Sequence, residues 1–558
     1  MPNFLENIFT QLQRAGDRVV LREVRGQEFA SVTGRELLDQ ISRARAYLRQ
    51  TGVQPGDRCA LLGPNSIQWA AFDLALMAEG AIVVPLYWRQ AASELAGMLK
   101  DCSPRLLFVS DAPLGEAVTE TWPEGPPRET FDAALGKVSI GQGIAGGPHP
   151  RRDEDLVTIL YTSGTSGEPK GVCLNTRNLN HLLSCTTERL NQLMGTTREP
   201  ERVFHYLPFN FAGSWILLLT CLSRESMLML STDLNRLAEE IRIASAHYFM
   251  NVPTLLERVR RGVEEAISKR DALSQAIYRH ARTAWERQND GESRASDAFW
   301  LFLGEKLIFR KIRERFGAHL RALICGSAPL APETQKFFLV LGIPVLQAYG
   351  LTETTGICTM DDPRAPSEPG RVGEAIDGIE MIAEENDEIV VRGPNVFPGY
   401  WNRPEETAEV LKDGAFHTGD QGEVNSRGNW RISGRIKNLI ILNSGHNVAP
   451  EPIEEKIAQH LAGAQQIVVV GNGRGYLSLL VTGSVDGKTV QAALDAVNSE
   501  LPHYRQIRSF TILNEVLTPE GGLLTAMGKI KRDPINARFH VEIEHMYRKT
   551  AAAVGANR

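Results

Sequence analysis

Residues 58–87 read RCALLGPNSIQWAAFDLALMAEGAIVVPLY and decide the fold class of the chain. The runs RCALLG (58–63) and GAIVVPLY (80–87) are short and apolar, which is typical of parallel strands that are covered on both faces. The segment between them, SIQWAAFDLALMAEG, has the spacing of a helix. This order of strand, helix and strand predicts a βαβ unit and an α/β fold.

The same alternation continues along most of the chain. Further buried-strand patterns are RLLFVS (105–110), LVTILYTS (156–163), MLMLST (227–232), HYFMNV (247–252), LRALICGS (320–327) and IPVLQAYG (343–350). After residue 370 strands and turns follow each other closely, which favours an antiparallel sheet. The end of the chain alternates two helical and two strand patterns, which predicts a small α+β unit of about 110 residues. We place the boundary of this unit near Arg435.

Length and composition exclude several classes of protein. At 558 residues the chain is longer than a domain with a single hydrophobic core usually is, so we expect two or more domains. The net charge of −6 argues against a dedicated nucleic-acid binder. Seven dispersed cysteines without a C-x-x-C pair favour free thiols in a reducing cytoplasm. No secretory signal pattern is present, and no apolar stretch approaches the ~18 residues of a membrane span, so we expect a cytoplasmic protein.

The segment YTSGTSGEPKG (161–171) has the composition of a phosphate-binding loop. Its glycines let the backbone approach a ligand, and its hydroxyl groups offer hydrogen-bond donors beside Lys170. It lacks the G-x-x-x-x-G-K order of the usual nucleotide loop, and the following VCLN resembles a strand. We therefore predict a loop between two strands. Taken alone, such a cluster is more often a plain surface turn.

Six further segments follow this loop in a fixed order: GSAPL (326–330), YGLTETTG (349–356), HTGD (417–420), GRIKNLI (434–440), SGHNVAPEPIE (444–454) and GKIKR (528–532). Together the seven segments resemble the adenylate-forming superfamily of acyl-CoA synthetases, peptide-synthetase adenylation domains and luciferases. The resemblance covers nearly the whole chain. It is strongest to the long-chain fatty-acid CoA ligases, because about 70 largely helical residues separate Pro253 from Cys325.

The resemblance implies a specific architecture. Residues 1–434 would form an N-terminal domain of doubly wound parallel sheets with a β-barrel-like subdomain. Residues 435–437 would be a hinge, and residues 438–545 a small mobile α+β domain. Residues 546–558 would be a loose tail. In this family the small domain rotates between two half-reactions, and Lys437 occupies the matching hinge position.

The resemblance also implies the chemistry. A carboxylic acid would attack the α-phosphate of ATP to give an acyl-adenylate and pyrophosphate, and the thiol of CoA would then displace AMP. The β- and γ-phosphates would be held by Thr162, Ser163, Gly164, Thr165, Ser166, Gly167 and Lys170. Thr352 would contact the α-phosphate, and Glu353 would bind Mg²⁺, for which one carboxylate beside a triphosphate is sufficient.

The remaining nucleotide contacts are assigned in the same way. Tyr349, followed by Gly350, would lie against the adenine, with Asp420 on the ribose hydroxyls and Arg435 as its partner. The other face of the adenine would be approached by Gly326, Ser327 and Ala328. Each residue also has a structural interpretation when it is considered alone. Tyrosines at strand ends are usually core residues, and GSAPL and TGD are common turn sequences.

Two residues of the small domain would serve different half-reactions. Lys529 matches the lysine that reaches the substrate carboxylate and the α-phosphate during adenylation only. Gly445 would line the pantetheine tunnel during thioester formation. The alternative for Lys529 is a solvated lysine in a basic cluster with Lys531 and Arg532.

The acyl site departs from the family pattern. Phe211 stands where many members have a histidine next to the acyl carboxylate, which makes the pocket entrance more apolar. Trp215 stands where some long-chain members have an aromatic gate, although a core tryptophan explains it equally well. Between Glu257 and Arg321 there are 15 Lys or Arg and 10 Asp or Glu interleaved with apolar residues. This segment predicts either peripheral contact with an anionic membrane or helices that cover the enzyme's own core.

Three functions therefore compete. The first is ATP-dependent conversion of a medium-to-long-chain fatty acid, or a similarly bulky hydrophobic acid, to its CoA thioester. The second is a fatty-acyl-AMP ligase that loads the phosphopantetheine of an acyl carrier protein. The third is a degenerate member that binds nucleotide without turnover. The joint presence of Glu353, Asp420, Arg435 and Lys529 argues against the third.

Overall fold

The computed structural model describes residues 3–144, 146–163, 169–195, 200–518, 521–525 and 528–555. The first part of the chain forms α1 Phe4–Ala15, β1 Val19–Arg25, β2 Glu28–Thr33, α2 Gly34–Gln50, β3 Arg58–Leu62, α3 Ile67–Ala78, β4 Ile82–Leu86, α4 Ala92–Cys102, β5 Leu106–Val109, α5 Ala112–Thr121, β6 Arg128–Thr130 and α6 Phe131–Gly136. The opening stretch of the sequence is thus β3, α3 and β4, as predicted.

The middle of the chain continues the alternation. Its elements are β7 Leu156–Ser163, β8 Pro169–Asn175, α7 Thr176–Met194, β9 Glu201–His205, α8 Ala212–Leu222, β10 Ser226–Ser231, α9 Leu237–Ala244, β11 Tyr248–Asn251, α10 Pro253–Ser268, α11 Ala272–Asn289, α12 Asp297–Gly304, α13 Arg310–Arg313, β12 Ala322–Cys325, α14 Pro332–Val340 and β13 Val345–Tyr349. A π-helical turn, Glu305–Phe309, joins α12 to α13. The long connection before Cys325 is therefore largely helical, as the sequence indicated.

Short strands dominate the next part, and a small α+β unit ends the chain. The elements are β14 Thr359–Met360, β15 Glu374–Ala375, β16 Glu380–Ala383, β17 Glu388–Arg392, β18 Gly399–Tyr400, α15 Pro404–Val410, β19 Leu411–Lys412, β20 Ala415–Val424, β21 Trp430–Arg435, β22 Ile440–Ile441, β23 Asn447–Val448, α16 Glu451–His460, β24 Ala464–Val470, β25 Leu477–Gly483, α17 Gly487–Glu500, β26 Ile507–Ile512, α18 Arg532–Arg538 and α19 His540–Gly555.

Two mostly parallel sheets form the large domain. The seven-stranded sheet has the order β18-β8-β7-β4-β3-β5-β6, and the nine-stranded sheet has the order β15-β14-β13-β12-β11-β9-β10-β1-β2. Antiparallel pairs occur only at their margins among the described strands, for example β7 with β8 and β13 with β14. The predicted α/β class with doubly wound sheets is confirmed.

Helices α3 and α8 share one hydrophobic core with strands of both sheets. All eleven residues of α8 are buried, and so are all residues of α3 except Gln68. A helix that is apolar on every side must be covered on every side. This explains why WAAFDLALMA and WILLLTCL carry almost no polar residues.

The predicted fold class also holds for the rest of the chain. Strands β16, β17, β20, β19 and β21 form a curled antiparallel sheet, which is the predicted barrel-like subdomain. Residues from Ile440 onward pack around the three-stranded sheet β24-β25-β26 and have their own cores. The boundary at Arg435 stays a prediction.

The predicted loose tail from residue 546 is wrong at its start. Met546 is buried, and the ring of Tyr547 packs on Tyr476 with 4.8 Å between ring centroids. The Tyr547 hydroxyl also donates to the carbonyl of Val470 at 3.2 Å. These apolar contacts hold α19 on the small domain.

Candidate active site

The predicted phosphate loop joins two antiparallel strands. Residue Thr162 in β7 pairs with Lys170 in β8, which confirms the strand–loop–strand prediction. Four residues assigned to phosphate binding, Gly164, Thr165, Ser166 and Gly167, lie outside the described residues, as does the side chain of Ser163. The described part of the loop therefore contributes Thr162 and Lys170 to the site.

Lys170 is linked to Glu353 through one aromatic ring. Its ammonium group lies 3.2 Å from Glu406 Oε2 and 5.3 Å from the centre of the Tyr400 ring. The hydroxyl of Tyr400 donates to Glu353 Oε1 at 2.9 Å. The residue assigned to the terminal phosphates and the residue assigned to Mg²⁺ thus both contact Tyr400, the first at its ring face and the second at its hydroxyl.

A single 3₁₀ turn, Thr352–Thr354, presents Glu353 directly after β13. The turn is fixed by the Leu351 N–H, which donates to Thr354 Oγ1 at 2.9 Å, and by the Phe397 N–H, which donates to the Glu353 carbonyl at 2.9 Å. Gly350 precedes this turn. A Cβ there would lie 2.5 Å from the carbonyl oxygen of Gly356, so only glycine fits.

Asp420 is the centre of a second group. It is directly opposite Arg435 in the β20–β21 pair, and Arg435 Nε donates to Asp420 Oδ1 at 2.7 Å. The Tyr349 hydroxyl donates to Asp420 Oδ2 at 2.8 Å. Burial and the adjacent Asp420 carboxylate raise the pKa of Tyr349 well above its usual value, so the phenol remains a donor. Two of the residues assigned to adenosine, Tyr349 and Arg435, therefore both bind the third, Asp420.

Gly326, Ser327 and Ala328 lie at the same edge of the sheet as Tyr349. They follow β12, which is the parallel neighbour of β13, so the loops after both strands leave from the carboxyl end of the sheet. Ser327 has a positive φ of 75°, and a Cβ on Gly326 would lie 3.0 Å from the carbonyl oxygen of Ala348. The backbones of the two loops therefore approach each other closely, and their role at the adenine stays a prediction.

Lys529 of the small domain faces this group. Desolvation by surrounding protein atoms lowers the pKa of Lys529 to about 8, Arg435 contributes to the decrease, and the carboxylates of Asp420 and Glu353 oppose it. Lys529 is nevertheless exposed to solvent, so the protein surrounds it without enclosing it. The charge of Lys529 therefore interacts with Glu353, Asp420 and Arg435, all of which lie at least 94 positions earlier in the sequence.

The other two assignments in the small domain are less closely tied to this group. Lys437 lies in a 3₁₀ turn, Ile436–Asn438, immediately after β21. Gly445 has a φ of 82°, and a Cβ on it would meet nothing within 4 Å. Among the described residues, no contact joins Gly445 to Glu353, Asp420 or Arg435. The hinge role of Lys437 and the tunnel role of Gly445 stay predictions.

The two acyl-site assignments have different outcomes. Phe211 is half-buried before α8, and its ring lies 3.0 Å from where a Cβ on Gly213 would stand. The same glycine borders Gly356 of the YGLTETTG segment, so Phe211 is near the nucleotide site. Trp215 is fully buried, and its indole N–H donates to the buried Asp73 at 2.9 Å. Full burial and a buried hydrogen-bond partner are typical of a core tryptophan, so they do not support a role of Trp215 as an acyl gate.

Comparisons with known proteins identify the family. The sequence profile of AMP-binding enzymes matches residues 8–401, and that of the AMP-binding enzyme C-terminal domain matches residues 437–551. The chain belongs to the AMP-binding enzyme family. A relative from Mycobacterium bovis, long-chain-fatty-acid–CoA ligase FadD15, is 28% identical over 98% of this chain and 97% of its own. The putative fatty-acid–CoA ligase fadD11 of Mycobacterium tuberculosis is 32% identical over 71% of this chain and 74% of its own.

A solved structure supports the fold of this AMP-binding enzyme. The adenylation domain of a carboxylate reductase from Mycobacterium chelonae superposes with a TM-score of 0.77 at 24% identity, covering 98% of this chain and 91% of that one. The predicted resemblance to adenylate-forming acyl-CoA synthetases is confirmed. An acid–thiol ligase is the enzyme class that the family and these relatives support.

The residues of this AMP-binding enzyme fit Mg²⁺ as an ion shared with a substrate. No group of three or more His, Cys, Asp or Glu that could hold a metal occurs among the described residues. Glu353 offers one carboxylate, of which one oxygen already accepts from Tyr400. Mg²⁺ typically takes one or two protein carboxylates, and phosphates and water complete its shell.

Tyr400 and Glu406 of this AMP-binding enzyme belong to no motif that the sequence reveals. Tyr400 lies in FPGYWN, which the sequence identifies only as part of a strand-and-turn region. Nothing in this segment indicates that Tyr400 would contact Lys170 or Glu353. Only the pairing of β18 with β8 brings Tyr400 next to the strand that carries Lys170.

Proposed function

We propose that this enzyme uses ATP to convert a medium-to-long-chain fatty acid, or a similarly bulky hydrophobic carboxylic acid, to an acyl-adenylate and then to acyl-CoA. The observation that carries the proposal is the hydrogen-bonded group of Tyr349, Asp420 and Arg435, together with Lys529 of the small domain within electrostatic range of it. A cation at this position stabilises the charge that develops on the α-phosphate when a carboxylate attacks it. A degenerate nucleotide binder would have no need for this arrangement.

The chain's own residues divide the work of adenylation. Asp420, held between Tyr349 and Arg435, accepts from the ribose hydroxyls and fixes the adenosine. Lys170 and the loop before it would bind the departing pyrophosphate, and Thr352 would contact the α-phosphate. Glu353 would hold Mg²⁺, which would neutralise phosphate charge. Correct placement of the reacting oxygens is the main contribution of such a site.

The identity of the acid is proposed from the relatives and from one local feature. FadD15, fadD11 and a long-chain acyl-CoA synthetase of Arabidopsis thaliana are named for fatty acids or long-chain acyl groups. Phe211 replaces a polar side chain near the nucleotide site with a hydrocarbon ring. An apolar entrance favours a hydrophobic acid because burial of each methylene contributes about 0.8 kcal/mol.

The competing function is a fatty-acyl-AMP ligase that transfers the acyl group to an acyl carrier protein. Both functions share the adenylation site and differ in the acceptor thiol.

We place the enzyme in the cytoplasm because all seven cysteines are free thiols. Among the described residues, no helix combines the length and apolar composition needed to cross a membrane.

Peripheral membrane contact belongs to the same proposal. Phe299, Phe302 and Leu307 on the helix that runs from α12 to α13 are 57%, 55% and 44% exposed. Lys306 lies 4.6 Å above the Phe302 ring, and Arg310 and Lys311 are exposed on the next turn. Exposed aromatic rings next to cations match the surface of an anionic bilayer, into which fatty acids partition.

The deciding experiment measures pyrophosphate release with Mg-ATP across fatty acids of graded length, with and without CoA. We expect multiple turnovers and acyl-CoA only when CoA and a long acid are both present. Reactions without acid are the control for ATP hydrolysis. Adenylate formation that CoA neither accelerates nor captures would instead identify a carrier-protein loader. No pyrophosphate release with any acid would contradict both functions.

A further inference from the structure

The three basic residues of GKIKR have three different partners. Lys529 faces the nucleotide-binding residues of the large domain. Lys531 binds Glu94 in α4 of the large domain, with its ammonium group 3.1 and 3.4 Å from the two carboxylate oxygens. Arg532 binds Glu454 in α16 of the small domain at 2.7 Å. This short segment is therefore bound on one side to its own domain and on the other to the opposite domain.

Residues 523–525 and 529–531 pair as the two arms of a hairpin that carries Lys529 and Lys531, and Arg532 begins α18 directly after it. The Lys531 N–H donates to the Leu523 carbonyl at 3.0 Å, and the Thr525 N–H donates to the Lys529 carbonyl at 2.8 Å. Ile530 points into the small domain's core, so its neighbours Lys529 and Lys531 project from the opposite face of the extended chain. A contact that fixes Lys531 therefore also fixes the direction of Lys529.

The partner of Lys531 is itself held in place. Glu94 lies in the first turn of α4, where a negative charge is favourable, and the side-chain amide of Gln90 also donates to it. The side chain of Lys531 is only 9% exposed, and that of Glu94 is 24% exposed. Exposed ion pairs contribute little, but removing one partner of a buried pair leaves an uncompensated charge.

We propose that Glu94 and Lys531 are positioning residues that hold Lys529 at the nucleotide site during adenylation. This rests on the proposed function of Lys529. The pair joins the two domains, so it must separate when the small domain rotates for thioester formation. Neither residue contacts the reacting atoms; they act through the position of the hairpin.

The test compares two half-reactions in Glu94→Gln and Lys531→Gln. We expect acid-dependent pyrophosphate exchange to fall by about 10- to 100-fold, because a 1 Å misplacement of a catalytic group can cost about 100-fold. Thioester formation from supplied acyl-adenylate should stay within about twofold of wild type. The matched control is Glu500→Gln, which breaks an exposed ion pair with Lys456 inside the small domain and should change neither half-reaction.

Charge reversal separates positioning from a general loss of structure. The double variant Glu94→Lys with Lys531→Glu should recover most of the exchange activity that either single reversal loses. The proposal is wrong if the Gln variants keep exchange within twofold, if both half-reactions fall equally, or if the double reversal gives no recovery. Thermal melting of each variant identifies any that do not fold, in which case the remaining single variant and the reversal decide.

The outcome is distinguishable from failure of the proposed function. If Lys529→Ala keeps full pyrophosphate exchange, Lys529 has no role in adenylation. Glu94 and Lys531 would then have no catalytic group to position. Loss of exchange in Lys529→Ala together with normal exchange in Glu94→Gln would remove only the positioning role.

Discussion

At the scale of single residues, Lys529 is the side chain whose chemistry differs most between the two proposed half-reactions. Replacing it with alanine removes a cation from the α-phosphate but leaves the acyl-adenylate and thiol sites intact. We expect Lys529→Ala to lower pyrophosphate exchange by about 100- to 1,000-fold, as loss of one charge-stabilising group does in other enzymes. Thioester formation from supplied acyl-adenylate should remain. Lys488→Ala, an exposed lysine at the start of α17, is the control; equal loss of both half-reactions would contradict the assignment.

The lowered pKa of Lys529 predicts a pH dependence. The pKa of about 8 means that the ammonium form is present below pH 8 and lost above it. We therefore expect kcat/KM for adenylation, which reports the free enzyme, to fall as the pH rises through about 8. Bound ATP adds negative charge that favours the ammonium form, so kcat should fall only at higher pH. Lys529→Arg should remove the alkaline fall in kcat/KM, and an unchanged limb would assign it to another group.

At the scale of elements, the turn after β13 allows no side chain at Gly350. A Cβ would lie 2.5 Å from the Gly356 carbonyl oxygen and 2.6 Å from the Ile357 Cα. We expect Gly350→Ala to lower the free energy of unfolding by about 1–3 kcal/mol, because backbone on both sides must move. Gly262→Ala, in an exposed part of α10 with nothing within 4 Å, should instead stabilise the protein by up to about 1 kcal/mol. Chemical denaturation of the two variants checks both signs.

The exposed aromatic residues of α12 lead to a prediction about membrane binding by this helix. Wild-type protein should float with vesicles that contain anionic phospholipid and should remain unbound with neutral vesicles. Phe299→Ser with Phe302→Ser should weaken binding roughly tenfold or more, because a buried Phe side chain contributes about 1.5–3 kcal/mol. Phe29→Ser, an exposed phenylalanine in β2, is the matched control. No flotation of the wild type would exclude membrane contact through this helix.

At the scale of the whole molecule, two glutamates influence each other's surroundings across the domain boundary. Burial, followed by the charge of Glu257 in α10, raises the pKa of Glu455 in α16 from 4.5 to about 7. Burial also raises the pKa of Glu257, and the nearby Arg261 and Arg260 oppose this increase. A raised pKa means that the contact is strongest when Glu455 is protonated, so the closed arrangement should weaken between about pH 4.5 and 7.

Fluorescence energy transfer between labels on the two domains tests this dependence. We expect the transfer efficiency of the wild type to decrease as the pH rises through this window. Glu455→Gln, which is neutral at every pH, should flatten the curve. Glu500→Gln, on the same domain but exposed, should leave the curve unchanged. A wild-type curve without slope would show that the glutamates do not influence domain closure.

The sequence predicted the α/β class, which is confirmed, and it proposed residues for a nucleotide site, but it did not predict the contacts that those residues make. Glu353, Asp420, Arg435 and Lys529 stand in recognisable motifs, so their identity is local information. The contacts of Tyr400 with Glu353 and of Glu94 with Lys531 join positions 47 and 437 residues apart, and no local pattern encodes them. The tail was misjudged because Met546 and Tyr547 gain their packing from strands elsewhere in the small domain.

The pairing of β1 with β10 bears on how the protein is made. Leu21 is opposite Leu228, so the second sheet cannot include its N-terminal hairpin until more than 200 further residues have left the ribosome. At roughly 5–20 residues per second this interval is on the order of 10–40 seconds. Helix α3 likewise cannot be fully buried until α8 has been synthesised, because both helices belong to one hydrophobic core. During that interval the nascent N-terminal part of this enzyme presents apolar surface, and its yield in a cell should depend on chaperones that act during synthesis.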